Sequence, residues 1–127
     1  MPELNMQQLL DCKPQITRID LEGKMVAGCK KPPIIGHVFV KEFSSHDRRS
    51  LIMTIAGDET RAPAAYILYG VCDAEGNRKF VEDIENGVTN ESLIQSIMKM
   101  QDLVVAQMFA AVTKINTYDE RAIAKNS

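Results

Sequence analysis

The sequence predicts an α+β fold: a small antiparallel β-hairpin near the N-terminus, packed on a mainly α-helical C-terminal part with a long terminal helix. Three observations carry this. Residues 15–22 alternate apolar with charged positions, and residues 36–43 are rich in β-branched and aromatic types, which specifies two extended segments. Two apolar stripes at helical spacing follow. Residues 90–115 then run without Gly or Pro, with Ile94, Ile97, Met98, Gln101, Val105, Met108, Val112 and Ile115 recurring at spacings of three and four.

Taken in order, residues 3–12 give a short helix, with Leu4, Met6, Leu9 and Leu10 as a weak apolar pattern that Pro14 stops. In the first strand Thr17, Ile19 and Leu21 share one side, and Arg18, Asp20 and Glu22 the other. The glycines and Pro32-Pro33 of residues 23–33 mark a connection. In the second strand Val38 and Val40 share one face, with His37, Phe39, Lys41 and Phe43 opposite. Ser44 followed by Asp47 starts a helix with the stripe Leu51, Ile52, Ile55 and Ala56, ending at Gly57-Asp58. A third helix from about Arg61 accepts Pro63 in its first turn and carries Ala64, Ile67, Leu68, Val71 and Cys72. Residues 73–77 read as a turn and 80–85 as a short element closed by Asn86-Gly87. Asn90 is the expected cap of the long helix, with Gln101-Asp102 as a place where it breaks.

At 127 residues this is one domain over 1–115 followed by a polar, flexible tail at 116–127. The 45% apolar and 25% charged fractions set aside wholesale disorder, and a net charge of −2 gives no general drive toward nucleic acid or anionic membrane. Charge is nevertheless uneven. Residues 24–49 hold six basic and two acidic residues, while 71–127 hold six basic and nine acidic. Lys30, Lys31, Arg48 and Arg49 on one copy, against Glu82, Asp83 and Glu85 on another, would suit head-to-tail association into a ring or spiral; solvated faces are the plainer reading. Met1-Pro2-Glu3-Leu4-Asn5 does not read as a secretory signal, and Cys12, Cys29 and Cys72 form no close pair, so reduced thiols in a cytoplasmic protein are expected. Lys99, Gln101 and Asp102 interrupt the longest apolar segment, which argues against a membrane span.

The residue types of chemistry are present in patterns that do not suit it. Ser45-His46-Asp47 are consecutive, so on a helix they point in different directions and relay no proton; a capping cluster explains them. Cys12, Cys29, His37 and His46 are too widely separated for a structural zinc site. The acidic turn at 73–77 fails as a calcium loop, because Arg78 and Ile84 stand where Gly and a bidentate Glu belong. No phosphate-cradling glycine motif occurs. Phe39, Lys41 and Phe43 fit sheet core better than a single-strand nucleic-acid platform. No catalytic residue, metal or cofactor is therefore expected. The long helix is wide and methionine-rich, which makes Met98, Met100, Val104, Met108 and Phe109 the candidate partner-binding surface, with core filling as the alternative.

Three stretches, in this order, resemble the tail assembly chaperones of long-tailed bacteriophages. Val38-Phe39-Val40-Lys41-Glu42-Phe43-Ser44 is similar to that family's strand and polar helix start. Residues 67–77 resemble its apolar helix running into an acidic glycine-asparagine turn. Residues 80–84, with Met108-Phe109-Ala110-Ala111-Val112 and Ile115-Asn116, resemble its closing section. The match covers roughly residues 36–116. Between Asn86 and Gln101 the chain carries about ten residues beyond the pattern, and residues 1–35 lie outside it. The resemblance implies a non-enzymatic protein of the host cytoplasm, absent from the mature virion. Such a protein oligomerises, binds and shields the tape measure protein, and recruits the major tail tube protein. It also implies a longer frameshifted form; Ala124-Lys125-Asn126 is compatible with a slippery GCA AAA AAC, and other codons there would remove that idea. The competing readings are a small cytoplasmic homo-oligomeric adaptor or regulatory protein, and a small enzyme built on Cys72 or His46.

Overall fold

The computed structural model describes residues 2–117 and has the α+β architecture expected: a three-stranded antiparallel sheet with the hairpin near the N-terminus, and five helices. The expected flexible tail at 116–127 lies outside the described residues except at its start. There Asn116 is buried and Thr117 exposed. The slippery-codon positions also fall outside.

Strands β1 (Ile16–Glu22) and β2 (Ile34–Lys41) pair from Ile16 opposite Lys41 to Glu22 opposite Ile34. The pairing steps from Leu21↔Gly36 to Glu22↔Ile34, so Ile35 is the extra residue of a bulge in β2 and the alternation of β1 continues unbroken. Thr17, Ile19 and Leu21 share a face with Val38 and Val40. That face meets the core, with Leu21 and Val40 buried and Ile19 and Val38 partly so.

The element at the centre is α3 (Ala62–Gly70), not the C-terminal helix. Its sequence APAAYILYG has no polar face, and seven of its nine residues are buried. A helix apolar all round must be enclosed, and α3 is flanked by α2 (Ser45–Ile55), α4 (Asn90–Met98), α5 (Asp102–Ile115) and the sheet. Gly70 allows the closest approach. A Cβ there would fall within the Val112 side chain of α5.

Several sequence expectations are corrected. Val71 and Cys72 do not continue α3. Val71 turns extended (ψ 127) and the pair forms β3 (Val71–Cys72), opposite Phe39 and Val40 of β2. Two residues are too few to show a strand period in the sequence. On α2 only Leu51 is buried; Ile55 is partly buried, Ile52 is 63% exposed, and Ala56 is an exposed left-handed C-cap. The segment 90–115 is, by contrast, two helices with the break where Gln101-Asp102 marked it. Lys99 ends α4, and Gln101 is extended (ψ 128) before α5. One straight helix of that length would run about 39 Å, far past the roughly 14 Å of α3; the break lets both halves pack on it. Its cap is Thr89, reciprocally bonded with Ser92, in place of Asn90. Between β3 and α4 the chain is mostly irregular, with a single 3-10 turn at Ile84–Asn86.

Candidate functional site

Groups that might have supported chemistry have structural partners or no convergent neighbours. Ser44 and Asp47 cap α2 reciprocally, at 3.1 Å (Asp47 N–H to Ser44 Oγ) and 3.4 Å (Ser44 N–H to Asp47 Oδ2), and Lys41 lies 3.7 Å from the Asp47 carboxylate. Ser45 and His46 are exposed on the first turn. Cys72 is fully buried, and burial pushes its thiol up, away from the reactive thiolate. Asp73 receives the backbone N–H groups of Asn77 and Glu75, each at 2.9 Å, which hold its carboxyl below the usual range and fix the acidic turn. Among the described residues no group of three or more His, Cys, Asp or Glu is placed to hold a metal ion. His37 packs edge-on against Phe39, with ring centres 5.6 Å apart.

The five residues singled out on the C-terminal helices have different surroundings. Met108 is 3% exposed and belongs to the core. Met100, Val104 and Phe109 are partly buried and pack against it. Phe109 also joins an aromatic row, meeting Tyr66 edge-on at 5.3 Å, and Tyr66 in turn meets Phe43 at 5.8 Å. Met98 is 49% exposed, at the end of α4. Most of the apolar width of this segment thus faces its own chain.

Of the charged set, Lys30, Lys31, Arg49, Glu82, Asp83 and Glu85 are exposed. Arg48 is different: it is partly buried, lies 5.4 Å over the Phe43 ring and donates to the Asn116 carbonyl at 3.3 Å. Asp83 accepts from the Asn86 amide at 2.6 Å. The basic residues come from the hairpin connection and α2, and the acidic ones from the loop before α4.

Exposed large apolar side chains are most numerous at the other end of the chain, with Ile52 and Met53 of α2 and Val81 and Ile84 before α4 also in solvent. Helix α1 (Met6–Leu10) has no buried residue. Met6, Leu9 and Leu10 lie at positions i, i+3 and i+4, so they share one face, and they are 75%, 58% and 58% exposed. Leu4 precedes them. Met25 and Val26 in the hairpin connection and Ile34 and Ile35 at the start of β2 are also more than half exposed. A five-residue helix is marginal alone. Here a complete capping box, Asn5 with Gln8 at 2.9 Å in both directions, holds it without help from the body of the domain. Sequence periodicity found this face but not its exposure, because an apolar stripe reads alike whether it meets its own core or another protein. A groove of about 430 Å³ lies between the chain after α1 and the start of α2, lined by Cys12, Lys13, Pro14, Glu42, Phe43, Ser44 and Ser45.

Among the described residues no helix is long and apolar enough to cross a membrane. Comparison with known proteins found no matching family model, no matching curated protein and no matching solved structure.

Proposed function

We propose that this chain is a non-enzymatic tail assembly chaperone of the long-tailed phage type. In this reading it acts in the host cell cytoplasm, self-associates, covers apolar helical surface on the tape measure protein and draws major tail tube subunits to it. The observation that carries the reading is the exposed apolar set in the N-terminal third: Met6, Leu9 and Leu10 on one helical face, with Met25, Val26, Ile34 and Ile35 on the hairpin. Large apolar side chains sharing one exposed helical face, on a domain that already encloses a core, favour a role in contact with another protein. A long helical partner with apolar positions every three or four residues offers a matching surface. Met98 adds one exposed apolar side chain at the end of α4.

Co-expression tests this. The chain is produced with a long coiled-coil tape measure protein, and the soluble fraction is assayed for that protein by co-purification. Capture and solubilisation support the chaperone. A defined oligomer that leaves the coiled-coil protein insoluble points to the adaptor reading.

A further inference from the structure

The sheet has an open edge with a self-complementary sequence. Sheet order is β1-β2-β3, so β1 is an edge strand, and among the described residues no strand pairs with its outer side. Which residues point outward is fixed at both ends. At the start, the Gln15 carbonyl accepts from Glu42 N–H at 2.9 Å, so Gln15 and, by alternation, Thr17, Ile19 and Leu21 direct their backbone groups to β2. At the end, both backbone groups of Glu22 are taken by the Gln107 carboxamide of α5, N–H to Oε1 at 2.7 Å and carbonyl from Nε2 at 2.8 Å. Gln107 therefore closes the edge at Glu22 as a partner strand would. Between these ends the outward backbone groups belong to Ile16, Arg18 and Asp20.

We infer that β1 pairs over residues 17–21 with β1 of a second copy of this chain, antiparallel about a two-fold axis at Ile19, to give a continuous six-stranded sheet, with Gln107 ending the pairing at Glu22 of each strand. The register follows from the charges. With Ile19 opposite itself, Arg18 of each copy faces Asp20 of the other, and these are outward residues on both strands, as a hydrogen-bonded antiparallel pair requires. Arg18 and Asp20 already meet within one strand at 3.4 Å, with side chains 60% and 54% exposed. Across the axis the four side chains form a square in which every neighbour carries the opposite charge. A shift by one residue would lose this square and turn the apolar Ile19 face away from the core side. On that core side a cleft of about 310 Å³, lined by Thr17, Ile19, Val40, Ala111, Lys114 and Ile115, leaves the apolar layer beneath β1 unfilled. Exposed edges are commonly blocked by a lone inward charge or Pro; here the alternation of sign instead favours its own copy. The contact is isologous and closes at a dimer, so any ring or spiral is built from such dimers through a second surface.

The inference deepens the self-association part of the reading above and does not depend on the identity of the larger partner. Sedimentation velocity on the full chain tests it with Arg18→Asp, Asp20→Arg, the double exchange, and an equimolar mixture of the two single variants. Each single variant sets like charges across the axis and is expected to weaken the dimer at least about tenfold. The double exchange restores it. The mixture also restores it, as a heterodimer, which an effect confined to one chain would not produce. Hydrogen exchange provides the second readout: the Arg18 and Asp20 amides gain protection as wild-type concentration rises. A wild type that stays monomeric overturns the inference, as does a dimer whose strength none of the charge exchanges changes. Solubilisation of the coiled-coil protein is scored separately on the same variants, so loss of strand pairing and loss of chaperone activity are told apart.

Discussion

Asn116 shows how much of this fold rests on single polar side chains. Its Oδ1 accepts from Phe43 N–H at 2.7 Å, and its Nδ2 donates to the carbonyls of Lys41 at 3.2 Å and Val112 at 2.9 Å. One amide thus binds the end of β2 to the last turn of α5. Asn116→Ala removes the side-chain partner of the Phe43 N–H and of the Lys41 carbonyl, while the Val112 carbonyl keeps the backbone N–H of residue 116, and is expected to lower stability by about 2 kcal/mol, read from the denaturant midpoint at unchanged slope. An unchanged midpoint would contradict this role. Arg61 and Glu91 join the start of α3 to α4, with guanidinium to carboxylate distances of 2.9 and 2.6 Å. The hydrogen bonds from Arg61, then Gln95, and the Arg61 charge pull Glu91 from 4.5 to about 2. Because the folded value lies below the unfolded one, the stabilisation is complete above pH 4.5 and is lost as pH falls through about 2. The stability gap between wild type and Glu91→Gln should therefore shrink steadily over that interval; a gap independent of pH would show that the pair contributes nothing. Neither Asn116 nor the Arg61–Glu91 pair was visible in the sequence, since their partners lie far away along the chain and polar residues carry no period.

At the scale of elements, alternation and helical spacing located both long strands and the helical segments, because all of these but the five-residue α1 had seven or more residues over which a period could develop. Ser44 and Asp47 marked the start of α2 by chemistry alone. What the sequence concealed was set by neighbours. Val71-Cys72 becomes a strand because β2 offers an edge there. Ile52 falls on the apolar spacing of α2 yet faces solvent, since only Leu51 and Ile55 are turned toward α3 and the core. The seam between α3 and α5 gives the sharpest test of packing. Gly70→Ala drives a methyl into Val112 and is expected to cost about 1–3 kcal/mol, with Val112→Ala relieving part of that cost. A double-mutant cycle in thermal or chemical denaturation reads the coupling; strict additivity of the two substitutions would mean the helices move apart freely.

For the whole molecule, the division of labour differs from what the apolar C-terminal segment suggests. The helices from α3 onward enclose one another, while the N-terminal third holds the open strand edge and most of the large apolar side chains that remain in solvent among the described residues, with Ile52, Met53, Val81, Ile84 and Met98 exposed elsewhere. The resemblance to phage tail chaperones covers the enclosed part and stops before this third. The sequence reading put its candidate contact surface on Met98, Met100, Val104, Met108 and Phe109. Met6, Leu9 and Leu10 are the more exposed set, a distinction that periodicity cannot make. The triple variant Met6→Ser, Leu9→Ser, Leu10→Ser removes no buried contact, so its denaturant midpoint should stay within about 0.5 kcal/mol of wild type.

Co-purification of a coiled-coil tape measure protein with wild type and with this triple variant measures the matter directly. Wild type should hold the coiled-coil protein in the soluble fraction, and the folded triple variant should lose most of it. Equal capture by both, or none by wild type, would contradict the assignment.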